Sequence, residues 1–153
     1  MTAFRKYSGL ILGYVLWVPI YCIIRFTTRT RVLVVCDGEI LLLQSWLYSG
    51  YWGCPGGGIK RGELPVQTIL RELREETGIV VKQKDLKSLG LMKQAGRQAH
   101  TFYGFILKLD TKPRVTIQTS AITDAKWFEP DNIEKLSTDN HVQTLLAAWQ
   151  KQR

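Results

Sequence analysis

Glu72, Glu75 and Glu76 are the residues of this chain best placed to do chemistry. The run from Pro65 to Thr77 has no internal Gly or Pro and is rich in helix formers, so it predicts a helix of about three turns. Pro65 suits the first helical position, and Gly78 suits the left-handed residue just past the end. At roughly 100° per residue the three glutamates fall within one arc, beside an apolar stripe of Val66, Leu70, Leu73 and Thr77. Carboxylates at this spacing repel by a few tenths of a kcal/mol, roughly, per pair in water, and by more in a desolvated cleft. A divalent cation reverses that sign, and oxygen-only ligands favour Mg²⁺ or Mn²⁺. Arg71 and Arg74 project to the far side of the arc, where either is a candidate to brace Glu63. A solvated helix face laced with Glu–Arg pairs accounts for the same pattern, and the helix alone does not separate the two readings.

The wider spacing does. Gly57, Glu63, Arg71, Glu72, Glu75, Glu76 and Gly78, with aliphatic Leu73 and Ile79, fit G-x5-E-x7-R-E-U-x-E-E-x-G-U, where U is aliphatic. Those fixed positions would coincide by chance on the order of once in 10⁸ starts or fewer. This pattern is the Nudix box, and the chain resembles a Nudix hydrolase. The resemblance implies a loop, helix and loop that holds divalent ions (Mg²⁺ or Mn²⁺) against a diphosphate. By that resemblance Glu72, Glu75 and Glu76 are metal ligands, joined by the Gly57 carbonyl, and one of the three carboxylates activates the attacking water. Arg71 would orient the glutamates, and Glu63 would support the site from the loop. Lys60 and Arg61, in the entry turn, are candidate phosphate contacts. Leu64 stands where the family often has a capping residue, and Leu forgoes about 1 kcal/mol of helix stability there.

Other elements must position this box. Arg31 to Asp37 and Glu39 to Trp46 are aliphatic-rich and meet at Asp37-Gly38, which reads as strand, tight turn and strand. Leu47 to Gly53 reads as a loop whose Tyr48, Tyr51 and Trp52 either stack a base or, for Trp52, pack the loop under the box. Cys54-Pro55-Gly56-Gly57-Gly58 lets backbone approach the carboxylates closely. Past the helix, Ile79 to Lys82, Leu86 to Lys93, Ala99 to Leu109 and Asp124 to Phe128 read as strands. Asp131 onward reads as helix, and Asn140 to Gln150 as an amphipathic terminal helix through Val142, Leu145, Leu146 and Trp149. His100 is either a phosphate or proton contact or a structural histidine. Asp124 and Glu129 are outlying candidates for the extra carboxylate that some Nudix relatives carry. The expected fold is α/β, a mixed β-sheet sandwiched between α-helices as in the Nudix fold, over residues 29–153.

Residues 1–28 stand apart. From Tyr7 to Ile24 there is no charge, and as a helix this run would rise roughly 27 Å, close to the approximately 30 Å of bilayer hydrocarbon. It reads as an apolar N-terminal helix, with a membrane anchor through residues 7–24 set against a helix packed on the domain and a cleavable signal peptide. Gly9 and Gly13 have the GxxxG spacing that pairs two helices in a homodimer, and simple packing explains that spacing as well. A net charge of +8 suits polyanionic partners without choosing among them. Cys22, Cys36 and Cys54 have neither CxxC nor Cys/His spacing, so disulfide and zinc frameworks are not indicated.

The expected function is Mg²⁺-dependent cleavage of a diphosphate linkage, by water attack at phosphorus, in a nucleoside diphosphate or triphosphate derivative. The alternatives are a membrane-associated hydrolase of a lipid-linked diphosphate and a non-catalytic nucleotide-binding module. No nucleic-acid polymer is expected as partner. The expected location, from the resemblance, is the cytoplasm or the cytoplasmic face of a membrane.

Overall fold

The computed structural model describes residues 28–46, 50–94 and 101–152. The expectations for residues 7–24, for Tyr48 and for His100 lie outside the described residues. Two aliphatic runs open the domain as β1 (Arg29–Cys36) and β2 (Glu39–Ser45), paired antiparallel with Val34 opposite Leu41 and Cys36 opposite Glu39. Asp37 and Gly38 both take positive φ, 51° and 81°, the geometry of a two-residue hairpin turn. β3 (Trp52–Gly53) pairs with β2 further along, so part of the stretch read as loop is strand. The helix α1 spans Pro65–Thr77, as the sequence predicts. β4 (Leu86–Lys93), β5 (Thr101–Leu109) and β6 (Ile122–Phe128) complete the sheet, followed by a short α2 (Pro130–Ile133) and the terminal α3 (Asn140–Gln150).

The sheet is mixed, in the order β3-β2-β1-β5-β4, with β6 on the other edge of β2. β1 and β5 run parallel over their whole length, and β4 pairs antiparallel with β5. Because side chains alternate across a strand, β1 feeds both faces. Val32 and Val34 join Ile69 and Leu73 of α1 in one core cluster, while Leu33 and Val35 join Val142, Leu145 and Trp149 of α3 in the other. The sheet is thus sandwiched between α1 and α3, the α/β architecture expected.

Two expectations are corrected. Ile79 to Lys82 is not a strand. Ile79 is buried against the core and Val80 is 77% exposed, so the residues alternate, but they make no ladder with a described strand. An alternating pattern specifies inside and outside, not a pairing partner. The helix expected from Asp131 begins one residue earlier, at Pro130, and stops at Ile133, and the chain then turns before α3.

Candidate active site

The box begins where Cys54 to Ile59 runs along the first half of β1. Val32 donates to the Pro55 carbonyl at 3.0 Å, Thr30 to the Gly57 carbonyl at 2.9 Å, and Ile59 to the Thr28 carbonyl at 3.0 Å. Arg31 also donates from its side chain to the Gly56 carbonyl. Gly56 lies at φ 140°, and a Cβ there would collide with the Thr30 carbonyl. At Gly57 a Cβ would collide with the Glu72 carboxylate. The glycines are therefore required by two close approaches, one to strand backbone and one to an acid.

α1 enters through Leu64, which offers no side-chain cap; instead Gln67 accepts the Leu64 N–H at 2.9 Å. It leaves through Gly78, left-handed at φ 74°, whose N–H reaches the Arg74 carbonyl at 3.0 Å. Arg71 is the hub between these ends. Its Nε and a terminal nitrogen grip both oxygens of Glu63 at 2.8 and 2.9 Å, and the other terminal nitrogen donates to Glu72 at 2.6 Å and Glu75 at 3.4 Å. Arg71 thus braces Glu63, as expected of one of the two arginines, but it does not point away from the acidic arc. A planar guanidinium with five donors serves three carboxylates at once, which helical angle alone does not reveal.

The carboxylates differ sharply in environment. Glu63 also accepts from the Lys60 N–H at 3.1 Å and the Thr68 hydroxyl at 2.8 Å. The Arg71 guanidinium first, and these two donors after it, hold its pKa down to about 2, so it is ionised at neutral pH. Glu76 sits largely buried, with one oxygen receiving the Gly56 N–H at 2.8 Å. Burial pushes its pKa up to about 7; Gly56 and Arg31 oppose that rise, while the charges of Glu72 and Glu75 add to it. Glu75 has a side chain 49% exposed, and among the described residues it is held by the long contact to Arg71 alone.

Glu63, Arg71, Glu72, Glu75, Glu76 and the Gly57 backbone are brought together around the mouth of the loop. Among the described residues no three acidic, His or Cys side chains already form a metal cage. The donor set nonetheless suits a hard divalent cation in kind, being oxygens alone, with Glu76 poorly compensated and Glu72 lying against Gly57. Lys60 and Arg61 are exposed on the entry turn, and Lys60 touches the cluster through its backbone N–H. Asp124 pairs with Lys126 at 2.6 Å and Glu129 accepts from Asn132 at 3.4 Å. Asp124 alternates with Ala125, which packs in the cluster under α1, so it faces away from the box helix. Trp52 packs edge-on against Phe128, with centroids 4.8 Å apart.

Sequence reasoning missed two residues that shape the loop. The sequence places Arg31 at the start of a strand and gives no sign of its contact with the Gly56 carbonyl. His141 is 5% exposed and accepts the Cys54 N–H at 3.1 Å. Its signal was a histidine on the apolar face of the terminal helix, beside Val142.

The profile of the NUDIX domain family matches residues 26–149. The chain belongs to the Nudix hydrolase family. Among relatives of this Nudix domain, an ADP-ribose pyrophosphatase of Methanocaldococcus jannaschii is 26% identical over 106 residues, covering 68% of this chain and 62% of that one. An 8-oxo-dGTP diphosphatase of Proteus vulgaris is 35% identical over 88 residues, covering 54% of this chain and 77% of that one. The fold is matched by the NUDIX domain of Shewanella oneidensis NrtR complexed with ADP ribose. That match has a TM-score of 0.71 and 22% identity, over 83% of this chain and 88% of that one. The Nudix box residues named from the sequence all fall inside the matched region. Among the described residues of this Nudix domain no helix is long and apolar enough to cross a membrane.

Proposed function

We propose that this protein is a pyrophosphohydrolase that cleaves the diphosphate linkage of a nucleoside diphosphate or triphosphate derivative with the help of Mg²⁺ or Mn²⁺. The observation that carries the reading is the Arg71 hub, which gathers Glu63, Glu72 and Glu75 on one guanidinium beside the largely buried Glu76. Solvated helix faces pair charges singly and leave them exposed. Here one carboxylate is held anionic, one is pushed toward neutrality, and a backbone loop is threaded between them. That division of environments is typical of sites built for reaction. The relatives named above act on nucleotides, which supports the substrate class.

Glu72, Glu75, Glu76 and the Gly57 carbonyl are the residues that would hold the cation. When bound, it neutralises charge developing on the diphosphate. The chain's own residues do the rest. Arg71 and Glu63 fix Glu72 in place, so its geometry is set before substrate arrives. Glu76, whose carboxylate lies against the loop, is one of the three acids suited to take a proton from the attacking water, directly or through the cation. The Gly56 N–H holds the Glu76 carboxylate in orientation.

The test is product release from a panel of nucleoside triphosphates (oxidised ones included), dinucleoside polyphosphates, nucleotide sugars and prenyl diphosphates, with Mg²⁺ or Mn²⁺ and a Glu76→Gln control. Turnover of nucleotide substrates that collapses in the control is the expected result. Turnover of prenyl diphosphates alone would overturn the substrate class, and silence across the panel from folded protein would overturn the reaction.

A further inference from the structure

One end of the sheet gathers exposed apolar side chains and cations around the point where the domain joins residues 1–27. β1 begins at Arg29, opposite Phe102 of β5, which in turn faces Met92 of β4. Gly58 bridges to Arg29 antiparallel, and Ile59 donates to the Thr28 carbonyl at 3.0 Å. The starts of β1 and β5, the end of β4 and the entry turn at 60–62 therefore share this end. On its α1 face Leu64 is 60% exposed and Leu91 59%. Between the start of α1 and strands β4 and β5 opens a groove of about 380 Å³, lined by Leu64, Val66, Leu86 and Tyr103 among others. Leu91 pairs with Tyr103 and Lys93 with Thr101, so alternation puts Lys93 on the same face as Leu91. Lys60, Arg61 and Lys93 are exposed, and among the described residues none of their side chains meets an acid.

We infer that this end of the domain lies on an anionic lipid bilayer. Leu64 and Leu91 meet the acyl boundary, Lys60, Arg61 and Lys93 meet headgroup phosphates, and residues 7–24 enter the hydrocarbon. Two independent observations lead to this one partner. The first is where the chain joins the domain: residues 7–24 carry no charge, and Thr28, just beyond them, is held at this end by Ile59. The groove has room for a few side chains only and cannot cover that whole run, whereas a bilayer can. The second is the surface itself, where exposed leucines stand beside exposed cations, the composition of an interfacial contact. Each cation near an anionic leaflet favours binding about fivefold. A second copy of the same face would instead set these cations against one another. The Lys60 N–H also holds Glu63 at 3.1 Å, so the carboxylate cluster then opens beside the headgroups. The inference does not depend on which diphosphate is cleaved.

The test uses the full chain, methyl-labelled at leucine and valine, with bicelles of phosphatidylcholine alone or mixed with phosphatidylglycerol, each carrying a trace of headgroup spin label. Phosphatidylglycerol bicelles should broaden the Leu64 and Leu91 methyl resonances severalfold more than those of Val80. That valine is 77% exposed but stands past the other end of α1, about 20 Å along the helix axis. Lys93→Glu should weaken the Leu91 broadening severalfold, and added salt should do the same. Leu64→Asp gives α1 the side-chain cap it lacks, so it should raise the thermal midpoint while still weakening the Leu91 broadening. Lost fold cannot explain that pair of results. Equal broadening by phosphatidylcholine alone would overturn the anionic preference on which the inference stands. Val80 broadened as much as Leu64, or neither variant changing the Leu91 signal, would overturn the choice of face. Protein that ignores both bicelles and self-associates would assign the face to a second copy and overturn the inference outright.

Discussion

The Nε2 of His141, at the start of α3, accepts the backbone N–H of Cys54 at 3.1 Å. Accepting there leaves the imidazole proton on Nδ1, which faces Asp139 across 3.8 Å. The neighbouring backbone is zipped as well, with Trp52 donating to the Ser137 carbonyl at 2.9 Å and Asp139 to the Trp52 carbonyl at 3.0 Å. Two residues further on, the Gly56 N–H reaches Glu76. The terminal helix therefore fixes the loop that orients a carboxylate on the opposite face of the sheet.

His141→Leu keeps much of the volume but strands a buried N–H, and should destabilise the protein by about 1–3 kcal/mol. His141→Gln can return an acceptor and should recover much of that loss. Urea denaturation of both variants at neutral pH decides the point; equal losses would show that bulk rather than the hydrogen bond matters.

Burial, with Arg31 and Arg29 adding to it, holds the His141 pKa well below 6.5. The unfolded chain then takes up the proton more readily than the native one, so the stability from this group is full above 6.5 and is lost as pH falls toward the native pKa. The stability gap between wild type and His141→Gln should change along that acidic limb and be flat above it, as read from denaturation midpoints across a pH series.

Glu76 has the opposite sign. Its pKa rises from 4.5 unfolded to about 7 native, so the group is harmless when protonated and costs stability as pH rises through that window. In metal-free buffer Glu76→Gln should be more stable than wild type by about 1–3 kcal/mol near pH 8 and equal to it near pH 4. The Gln oxygen still accepts the Gly56 N–H. Destabilisation at pH 8 would contradict the burial argument.

Gly57→Ala places a methyl on the Glu72 carboxylate, whereas Gly62, at φ 83°, has nothing within 4 Å of an added Cβ. Gly62→Ala should cost only about 1 kcal/mol of backbone strain and keep its kcat. Gly57→Ala should lose activity by roughly a hundredfold, because Glu72 must move. Steady-state kinetics with thermal midpoints separates lost geometry from lost fold.

Arg71→Lys retains the charge but cannot grip both oxygens of Glu63 while reaching Glu72. kcat should fall by roughly 10- to 100-fold with a smaller change in KM. An ammonium that fully restored kcat would show that charge alone suffices at this position.

The α1 helix, its glycine stop, the hairpin at Asp37-Gly38 and the identity of the clustered acids were legible in the sequence, because each follows from local rules: propensity, period and fixed spacing along one element. What the acids do to one another was not. That Arg71 turns toward the arc, that Glu63 is held anionic and Glu76 near neutrality, and that Gly57 must be bare to admit Glu72 all depend on which chain segment lies against which. The β1 strand and the terminal helix bring Arg31 and His141 to the loop from positions distant along the chain. Spacing along one helix determined which acids stand together, while packing across the sheet determined burial and hydrogen bonding, and through these the opposite displacements of Glu63 and Glu76.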